Sequence, residues 1–386
     1  MTAVHEISHD TVAAAVRGAG AIEHADGRVL VRRLPDWTKA QYPDVTIETG
    51  ASFLSGVRLE LDTAASLIEL RLLFRRLHLE SAGFPLRPCV VSVEGDGELL
   101  HFVRDEGDVL RVDADWTAHH VPGATSVIRA RLPRGGRSRR VVVWLPHNCA
   151  AEVVSLSADA PVDASAHRAP RWVHYGSSIS NASEADDPTG VWPVIVARRL
   201  GLDLYNVALP GNAQLDGFAA RTIRDTPASV ITLKLGINVV NAASMLHRTF
   251  VPAVHAFLDT VREGHPHTPI VVISPIFCGP HESAPGPTEF RDGKATTRAS
   301  ADATAGGALT LQGIRQALVE IVDRRSRTDP YLTYRDGLTL LGPDDAARLP
   351  DDLHPDAEGY GLIARNFVDE LAGILPGDAV LDDLPS

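Results

Sequence analysis

The sequence predicts two domains of different fold class. Residues 1–165 are expected to form an all-β sandwich of jelly-roll type, and residues 166–386 an α/β domain with three layers around a doubly wound parallel sheet. In the first part, apolar and polar residues alternate in short segments separated by turn residues. From about residue 170, short apolar runs alternate with helical segments. The stretch between them, Pro161–Pro170, is small, polar and bounded by prolines, which is typical of a linker.

Composition excludes several classes of protein. The 386 residues are enough for two separate cores. A formal net charge of −12, with 5% aromatic residues and no cluster of Lys or Arg, argues against a nucleic-acid surface. The first ten residues lack the basic and apolar segments of a secretory signal, and no apolar run is long enough to span a membrane. We therefore expect a cytoplasmic protein.

The three cysteines, Cys89, Cys149 and Cys278, are far apart in the sequence and odd in number. This spacing fits neither a disulfide framework nor a zinc site. The histidines likewise show no spacing that is typical of metal ligands. We therefore expect no metal and no disulfide.

The first domain is predicted to contain one short helix, Thr11–Gly18, followed by strands. One face of each strand would be buried and the other exposed, as the alternation in Val57–Leu61 and Val109–Val112 indicates. The predicted strands are Arg28–Leu34, Val45–Glu48, Val57–Leu61, Leu67–Phe74, Cys89–Glu94, Leu99–Val103, Val109–Val112, Ser126–Leu132, Arg140–Leu145 and Glu152–Ala158.

In the second domain, strands and helices are predicted to follow one another in turn. The strands are Trp172–Tyr175, Asp203–Val207, Ser229–Leu235, Ile270–Ser274 and Tyr331–Tyr334. The helices are Trp192–Leu200, Gly217–Arg224, Thr249–Glu263, Thr310–Arg324 and Ala357–Ile374. Right-handed crossovers would make the strands parallel, and ligands of such sheets bind at the carboxyl ends of the strands. The long connection Phe277–Ala308 could form a wall or lid of that site, or be a flexible insertion.

The first predicted strand of this domain breaks at Gly176 into two serines, Ser177 and Ser178. A serine in a sharp turn after a strand can present its hydroxyl group at the carboxyl edge of the sheet. Because many strands are followed by serines, a nucleophile also requires a base, an orienting carboxylate and donors for an oxyanion.

A base and a carboxylate occur together near the end of the chain. Asp351 precedes His354 by three residues, so its carboxylate could fold back onto one ring nitrogen and leave the other free to act as a base. Pro355 is expected to begin the final helix. In the alternative interpretation, Asp351 or Asp352 caps that helix and His354 is an ordinary surface histidine.

Two further residues follow predicted strands. Gly211 could offer its backbone N–H and Asn238 its side-chain amide, which with the N–H of Ser178 would give three donors for a tetrahedral oxyanion. Alternatively, Gly211 is a turn glycine and Asn238 satisfies the backbone of its own loop.

Taken together, these four sites resemble the SGNH (GDSL-type) hydrolase superfamily. Its four sequence blocks are similar to Tyr175–Ser180, Asn206–Asn212, Gly236–Val239 and Asp351–Pro355, and the resemblance covers about residues 170–376. The chain departs from the usual pattern in having Ser177 and Val239 where aspartates are common. Neither departure removes a group with a direct catalytic role.

The resemblance implies that Ser178 is the nucleophile, His354 the base and Asp351 the residue that orients it. Ser178, Gly211 and Asn238 would form the oxyanion hole. Ser177 is the rival nucleophile on chemistry alone, but alignment on the Gly-x-Ser-Ile frame favours Ser178. His174, inside the first strand, is expected to be a core residue.

The expected function is that of a serine esterase that acts through an acyl-enzyme without metal or cofactor. An N-terminal sandwich is similar to that of two-domain carbohydrate esterases of this superfamily, so a small-molecule or carbohydrate ester, with a short acyl chain such as acetyl, is the expected substrate. Acyl transfer by the same triad and a catalytically silent carbohydrate-binding protein are the alternatives. The oligomeric state stays open.

Overall fold

The computed structural model describes residues 4–375, apart from 43–44, 81–84, 114, 116, 134–135 and 299–300. The chain divides into two compact units. One comprises Met1–Arg168 with Asp186–Val191, and the other Ala169–Ala185 with Trp192–Ser386. Within the described ranges, no helix is both long and apolar enough to cross a membrane.

The N-terminal unit is an all-β sandwich, as the sequence predicts. Its strands are β1 His5–Ile7, β2 Val16–Arg17, β3 Ala21–Ala25, β4 Arg28–Arg32, β5 Arg58–Thr63, β6 Leu67–Leu79, β7 Cys89–Gly95, β8 Glu98–Arg104, β9 Asp108–Val112, β10 Ala118–Val121, β11 Ser126–Arg131, β12 Arg139–Trp144, β13 Ala150–Ala158 and β14 Val162–Ala164, and its helices are α1 His9–Ala15 and α2 Val45–Ser52. The larger sheet has the order β10-β9-β6-β13-β4-β3, with β1 beside β13 and β11 beside β6. The smaller sheet has the order β14-β5-β12-β7-β8, with β2 beside β5. Apolar side chains of both sheets, including Leu72 and Val91, form one buried core.

The prediction of a strand at Val45–Glu48 is wrong, because Val45–Ser52 is helix α2. The β-branched residues favour a strand locally. Packing decides otherwise, since Ile47, Gly50 and Ala51 are buried on one face at helical spacing. In addition, the fully buried guanidinium of Arg33 donates to the carbonyl group of Gly50 in the last turn of the helix.

A cavity of about 380 Å³ lies in this N-terminal unit. Residues of α2 line it together with apolar side chains of the larger sheet, among them Leu30, Leu77 and Leu110. None of the predicted catalytic residues lines it. The cavity is therefore separate from the chemistry considered below.

The C-terminal unit has the predicted doubly wound sheet. Its strands are β15 Arg171–Tyr175, β16 Asp203–Asn206, β17 Val230–Lys234, β18 Ile270–Ile273, β19 Thr288–Arg291, β20 Lys294–Thr297 and β21 Leu332–Arg335. Its helices are α3 Ser178–Asn181, α4 Trp192–Leu200, α5 Gly217–Arg224, α6 Ile237–Asn241, α7 His247–Gly264, α8 Leu311–Arg325 and α9 Ala357–Ile374. Five strands are parallel in the order β16-β15-β17-β18-β21. Because the strand order reverses at β15, ligands are expected beyond its carboxyl end.

Helices cover both faces of this sheet. On one face, the ring of Trp172 packs against Trp192 of α4 and Phe367 of α9, with ring centroids 6.1 and 6.2 Å away. On the other, Tyr175 packs against Phe257 of α7 at 5.2 Å. These contacts give the three-layer architecture, and they make Trp192 a core residue.

Candidate active site

A sharp turn joins β15 to the short helix α3 and carries both candidate serines. At Gly176 a Cβ atom would collide with the Oγ atom of Ser180, so the turn admits only glycine there. Ser178 is the first residue of α3. In a first helical turn, backbone N–H groups have no acceptor within the helix, so the N–H of Ser178 is available at this edge.

The two serines have different surroundings. Ser177 is fully buried, and its Oγ accepts the N–H of Ile179 at 3.3 Å as the cap of α3. Ser178 is partly exposed, and its Oγ lies 2.9 Å from Nε2 of His354. The structure therefore brings Ser178, and not Ser177, to the candidate base.

Asp351 holds His354 in a tight turn. The Nδ1–H of His354 donates to Oδ2 of Asp351 at 2.7 Å, and Oδ1 accepts the N–H groups of Leu353 and His354 at 2.9 and 2.6 Å. Since an ionised carboxylate can only accept, the ring proton must be on Nδ1. Nε2 is then left as an acceptor for the hydroxyl proton of Ser178.

The ionised form of Asp351 is favoured in this turn. Burial raises the pKa of the carboxyl group, but the hydrogen bond from the His354 ring and the two backbone N–H groups outweigh it and hold the pKa below its ordinary value. Asp351 therefore remains charged at neutral pH and can orient the imidazole.

The last helix has a different cap from those considered in the sequence. Asp356 is its N-cap, with Oδ1 accepting the N–H of Gly359 at 2.7 Å. The expectation that Pro355 begins this helix is wrong, because α9 begins at Ala357. The carboxylate of Asp351 is thus free of any capping role.

The loop that carries Gly211 is bonded both to the serine turn and to Asn238 in helix α6. The N–H of Leu209 donates to the carbonyl of Gly176 at 2.8 Å, and the N–H of Ala213 donates to Oδ1 of Asn238 at 3.0 Å. Gly211 has a φ of +69°, which favours glycine. Because Oδ1 of the buried Asn238 faces Ala213, its Nδ2 group is directed away from that loop as a donor.

His174 connects the strand before the serine turn to the short helix after it. Its Nε2 lies 2.8 Å from Oγ of Ser180, and its Nδ1 lies 2.6 Å from the hydroxyl of Thr232, which also accepts Nε1–H of Trp172 at 2.8 Å. Burial, with a smaller effect of the nearby Lys234 charge, lowers the pKa of His174 to about 3. The predicted core role of His174 is confirmed.

The long insertion between β18 and α8 contacts the turn of Asp351 and His354. Its hairpin β19–β20 places the N–H of Ala295 2.8 Å from the carbonyl of Asp351. Lys294 lies 3.4 Å from the carboxylate of Asp352, a residue with a φ of +63°. Apart from residues 299–300, which lie outside the description, the insertion is therefore a structured neighbour of the site.

The Ala213–Asn238 and His174–Ser180 contacts could not be predicted from the sequence, because no motif spacing indicates either pair. Within the insertion, Glu282 is engaged in a two-point ion pair with Arg315 at 2.7 and 2.8 Å. Over the described residues, no group of three or more His, Cys, Asp or Glu could hold a metal ion.

Comparison with known proteins connects this geometry to a family. Residues 174–362 match the model of the GDSL-like lipase/acylhydrolase family. No curated protein is significantly similar to the chain.

Several solved structures share the fold over almost the whole chain. The salicylyl-acyltransferase SsfX3 from a tetracycline biosynthetic pathway is 25% identical, with a TM-score of 0.79 over 98% of this chain and 99% of that one. A GDSL-like lipase from Bacteroides ovatus ATCC 8483 is 16% identical, with a TM-score of 0.67 over 96% and 98%. A family two carbohydrate esterase from Clostridium thermocellum is 14% identical, with a TM-score of 0.56 over 93% and 98%.

Proposed function

We propose, from the match of residues 174–362 to the GDSL-like lipase/acylhydrolase family, that the chain is a serine esterase acting through an acyl-enzyme on Ser178. The observation that carries the proposal is the continuous chain of contacts from Ser178 Oγ to His354 Nε2 and from His354 Nδ1 to Asp351, at 2.9 and 2.7 Å. A hydroxyl group becomes a strong nucleophile when an oriented base removes its proton during attack.

In the first half of the reaction, Oγ of Ser178 attacks the carbonyl carbon of the ester while its proton moves to Nε2 of His354. Asp351 stabilises the imidazolium ion that forms. The tetrahedral oxyanion accepts hydrogen bonds from the N–H groups of Ser178 and Gly211 and from the side-chain amide of Asn238. Collapse of this intermediate expels the alcohol, which takes the proton from Nε2.

In the second half, water attacks the acyl group on Ser178. His354 accepts a proton from the water and returns it to Oγ, which releases the carboxylic acid and restores the enzyme. Every proton in the cycle passes through one nitrogen atom. The groups named here suffice for this chemistry.

For the substrate, we propose an ester with a short acyl chain, such as an acetylated sugar. Support comes from the sandwich and hydrolase units that the chain shares with the family two carbohydrate esterase, which is a likeness of fold.

A second candidate function is acyl transfer, in which an alcohol replaces water in the second half. It is favoured by the match to the salicylyl-acyltransferase, which has the highest identity and TM-score of the structures compared above. Both reactions use the same residues. They differ in whether the acyl-enzyme is intercepted by water or by an acceptor alcohol.

Labelling with a fluorophosphonate probe, mapped by mass spectrometry, tests the proposal. We expect one adduct on Ser178 in the wild type and in Ser177→Ala, which loses only a helix cap, and none in Ser178→Ala. Product analysis with acetyl esters, with and without added alcohols, then separates hydrolysis from transfer. Absence of any adduct in folded protein would favour a silent carbohydrate-binding protein, and an adduct on Ser177 would overturn the assignment of the nucleophile.

A further inference from the structure

Two cysteines that are distant in the sequence meet in the core of the sandwich. Cys89 begins β7 in the smaller sheet, and Cys149 directly precedes β13 in the larger sheet. Their Sγ atoms are 3.1 Å apart although 60 residues separate them in the chain. Both are free thiols in the structure, and their spacing in the sequence does not predict this contact.

The backbone on either side of this contact is also fixed. Asn148, which precedes Cys149, donates from Nδ2 to the carbonyl of Pro88, which precedes Cys89, at 2.9 Å. The carbonyl of Cys149 accepts the N–H of Leu54 at 3.2 Å. Both cysteine side chains are buried, with at most 1% of either residue exposed. The two sulfur atoms are therefore held together by the packing of both sheets.

We propose that Cys89 and Cys149 are a site of covalent modification, at which a disulfide bond links the two sheets of the sandwich. The oxidant is a low-molecular-weight disulfide such as oxidised glutathione. The thiolate of one cysteine attacks a sulfur atom of glutathione disulfide, forming a mixed disulfide and releasing one glutathione thiolate. The second cysteine thiolate attacks the protein sulfur of that mixed disulfide and releases the other glutathione. The two cysteine protons pass to the two glutathione thiolates, so two cysteine thiols are oxidised and one glutathione disulfide is reduced.

The bond forms while the sandwich is open. In the folded unit the thiols are sealed from solvent, and burial, with the neighbouring Cys89 thiol, raises the pKa of Cys149 well above its ordinary value. Attack requires a thiolate, so folded protein reacts slowly. During folding, or in a local opening that separates β7 from β13, both thiols can reach the oxidant.

The bond would stabilise the N-terminal unit by closing a loop of about 60 residues in the unfolded chain. A constraint of this size is expected to raise Tm by about 10 °C. Cys278 has no part in the bond, because it lies in the C-terminal unit and its thiol donates to the carbonyl of Asp352 at 3.3 Å.

The test compares two samples of the full chain, both equilibrated in urea just below the unfolding midpoint. One sample contains oxidised glutathione and the other a phosphine reductant. After removal of urea, the free thiols are alkylated and the chain is mapped by mass spectrometry. We expect a peptide pair linked through Cys89 and Cys149, a mass 2 Da below that of the reduced chain before alkylation, and alkylated Cys278. The oxidised sample should melt about 10 °C above the reduced one.

Cysteine variants test whether the difference in Tm between the oxidised and reduced samples comes from this bond. Cys89→Ala and Cys149→Ala should each melt at the same temperature in both samples, whereas Cys278→Ala should keep the difference. The proposal is overturned if the wild type returns both Cys89 and Cys149 alkylated or carrying glutathione, or if the link involves Cys278. Since the mapping uses the wild type, it decides the matter even if an alanine variant fails to fold.

Discussion

The carboxylate of Asp351 holds His354 through both of its oxygen atoms. Oδ1 accepts the backbone N–H of His354 at 2.6 Å, and Oδ2 accepts Nδ1–H of its ring at 2.7 Å. One group therefore fixes the backbone turn and the proton on the imidazole at once. Replacing one of these oxygen atoms therefore separates the effect of the backbone turn from the effect of the protonation of the His354 ring.

Asp351→Asn should preserve the turn and abolish most of the activity. The amide oxygen can still accept the two backbone N–H groups, but the NH₂ group would then face Nδ1 and force the ring proton onto Nε2. His354 could no longer accept a proton from Ser178. We expect kcat to fall by about 10⁴-fold with Tm nearly unchanged, measured by ester hydrolysis and thermal denaturation.

The matched control is Asp352→Asn, in the same turn. Asparagine tolerates the left-handed φ of +63° at this position, and the change removes only an exposed ion pair with Lys294. Its kcat should stay within about threefold of the wild type. Equal losses in the two variants would show that the turn, and not the tautomer, limits the reaction.

Asn238→Ala tests the proposed oxyanion hole. The contact from Ala213 N–H to Asn238 Oδ1 at 3.0 Å directs Nδ2 elsewhere as a donor, and loss of one oxyanion donor lowers kcat by about 10²–10³-fold. We expect a change of this size with KM nearly unaffected, measured by steady-state kinetics. Asn241→Ala, at the end of the same helix, is the control and should keep near-normal kcat. A similar kcat in both variants would remove Asn238 from the hole.

Much of the fold could be predicted because local patterns and packing agree. The alternation in Val109–Val112 and the helical segments Trp192–Leu200 and Ala357–Ile374 correspond to elements that the structure contains. At Val45–Glu48 they disagree, and the buried face of α2 overrides the local β preference. Arg33, whose guanidinium bonds the last turn of this helix, lies outside the segment 45–48 from which the strand was predicted.

The candidate site could be predicted because its residues follow strands at short motif spacing, as Asp351 and His354 do. The contacts that support these residues follow no such motif. Ser180 meets His174 through the turn, and Cys89 meets Cys149 across 60 residues. No spacing rule encodes such pairs, since they depend on which loops and sheets pack together.

His174 should make the protein less stable in mild acid. Its pKa is about 3 in the folded chain and 6.5 in the unfolded one, so between these values the unfolded state binds the extra proton. The stabilising effect is complete above pH 6.5 and is lost as the pH falls toward 3. From pH 7 to pH 5 the loss is about 2 kcal/mol.

Urea unfolding of the wild type and His174→Gln at both pH values measures this loss. Glutamine does not titrate, so the free energy of unfolding of the variant should fall by about 2 kcal/mol less than that of the wild type. His119→Gln, at an exposed position on β10, is the control and should follow the wild type. Parallel losses in all three proteins would mean that His174 titrates normally in the folded state.

Lys234 is expected to be a net cost to stability at neutral pH. It is 1% exposed at the end of β17, and among the described residues its Nζ has no hydrogen-bond partner. Burial, with the charge of Arg315, lowers its pKa from 10.5 to about 7. Between these values the unfolded state binds the extra proton, so stability rises with pH by about 2 kcal/mol from pH 7 to pH 9.

Lys234→Met removes the amine at similar volume, and we expect it to stabilise the protein most at pH 7. Because the wild type gains stability as the pH rises, the advantage of the variant should shrink by about 2 kcal/mol at pH 9. Lys294→Met, at a side chain that is 53% exposed, should show no such pH dependence. The measurement is urea unfolding at both pH values. If Lys234→Met is less stable than the wild type, the amine is held by a favourable interaction in the folded chain. If the variant is more stable by the same amount at both pH values, the pKa of Lys234 is not lowered.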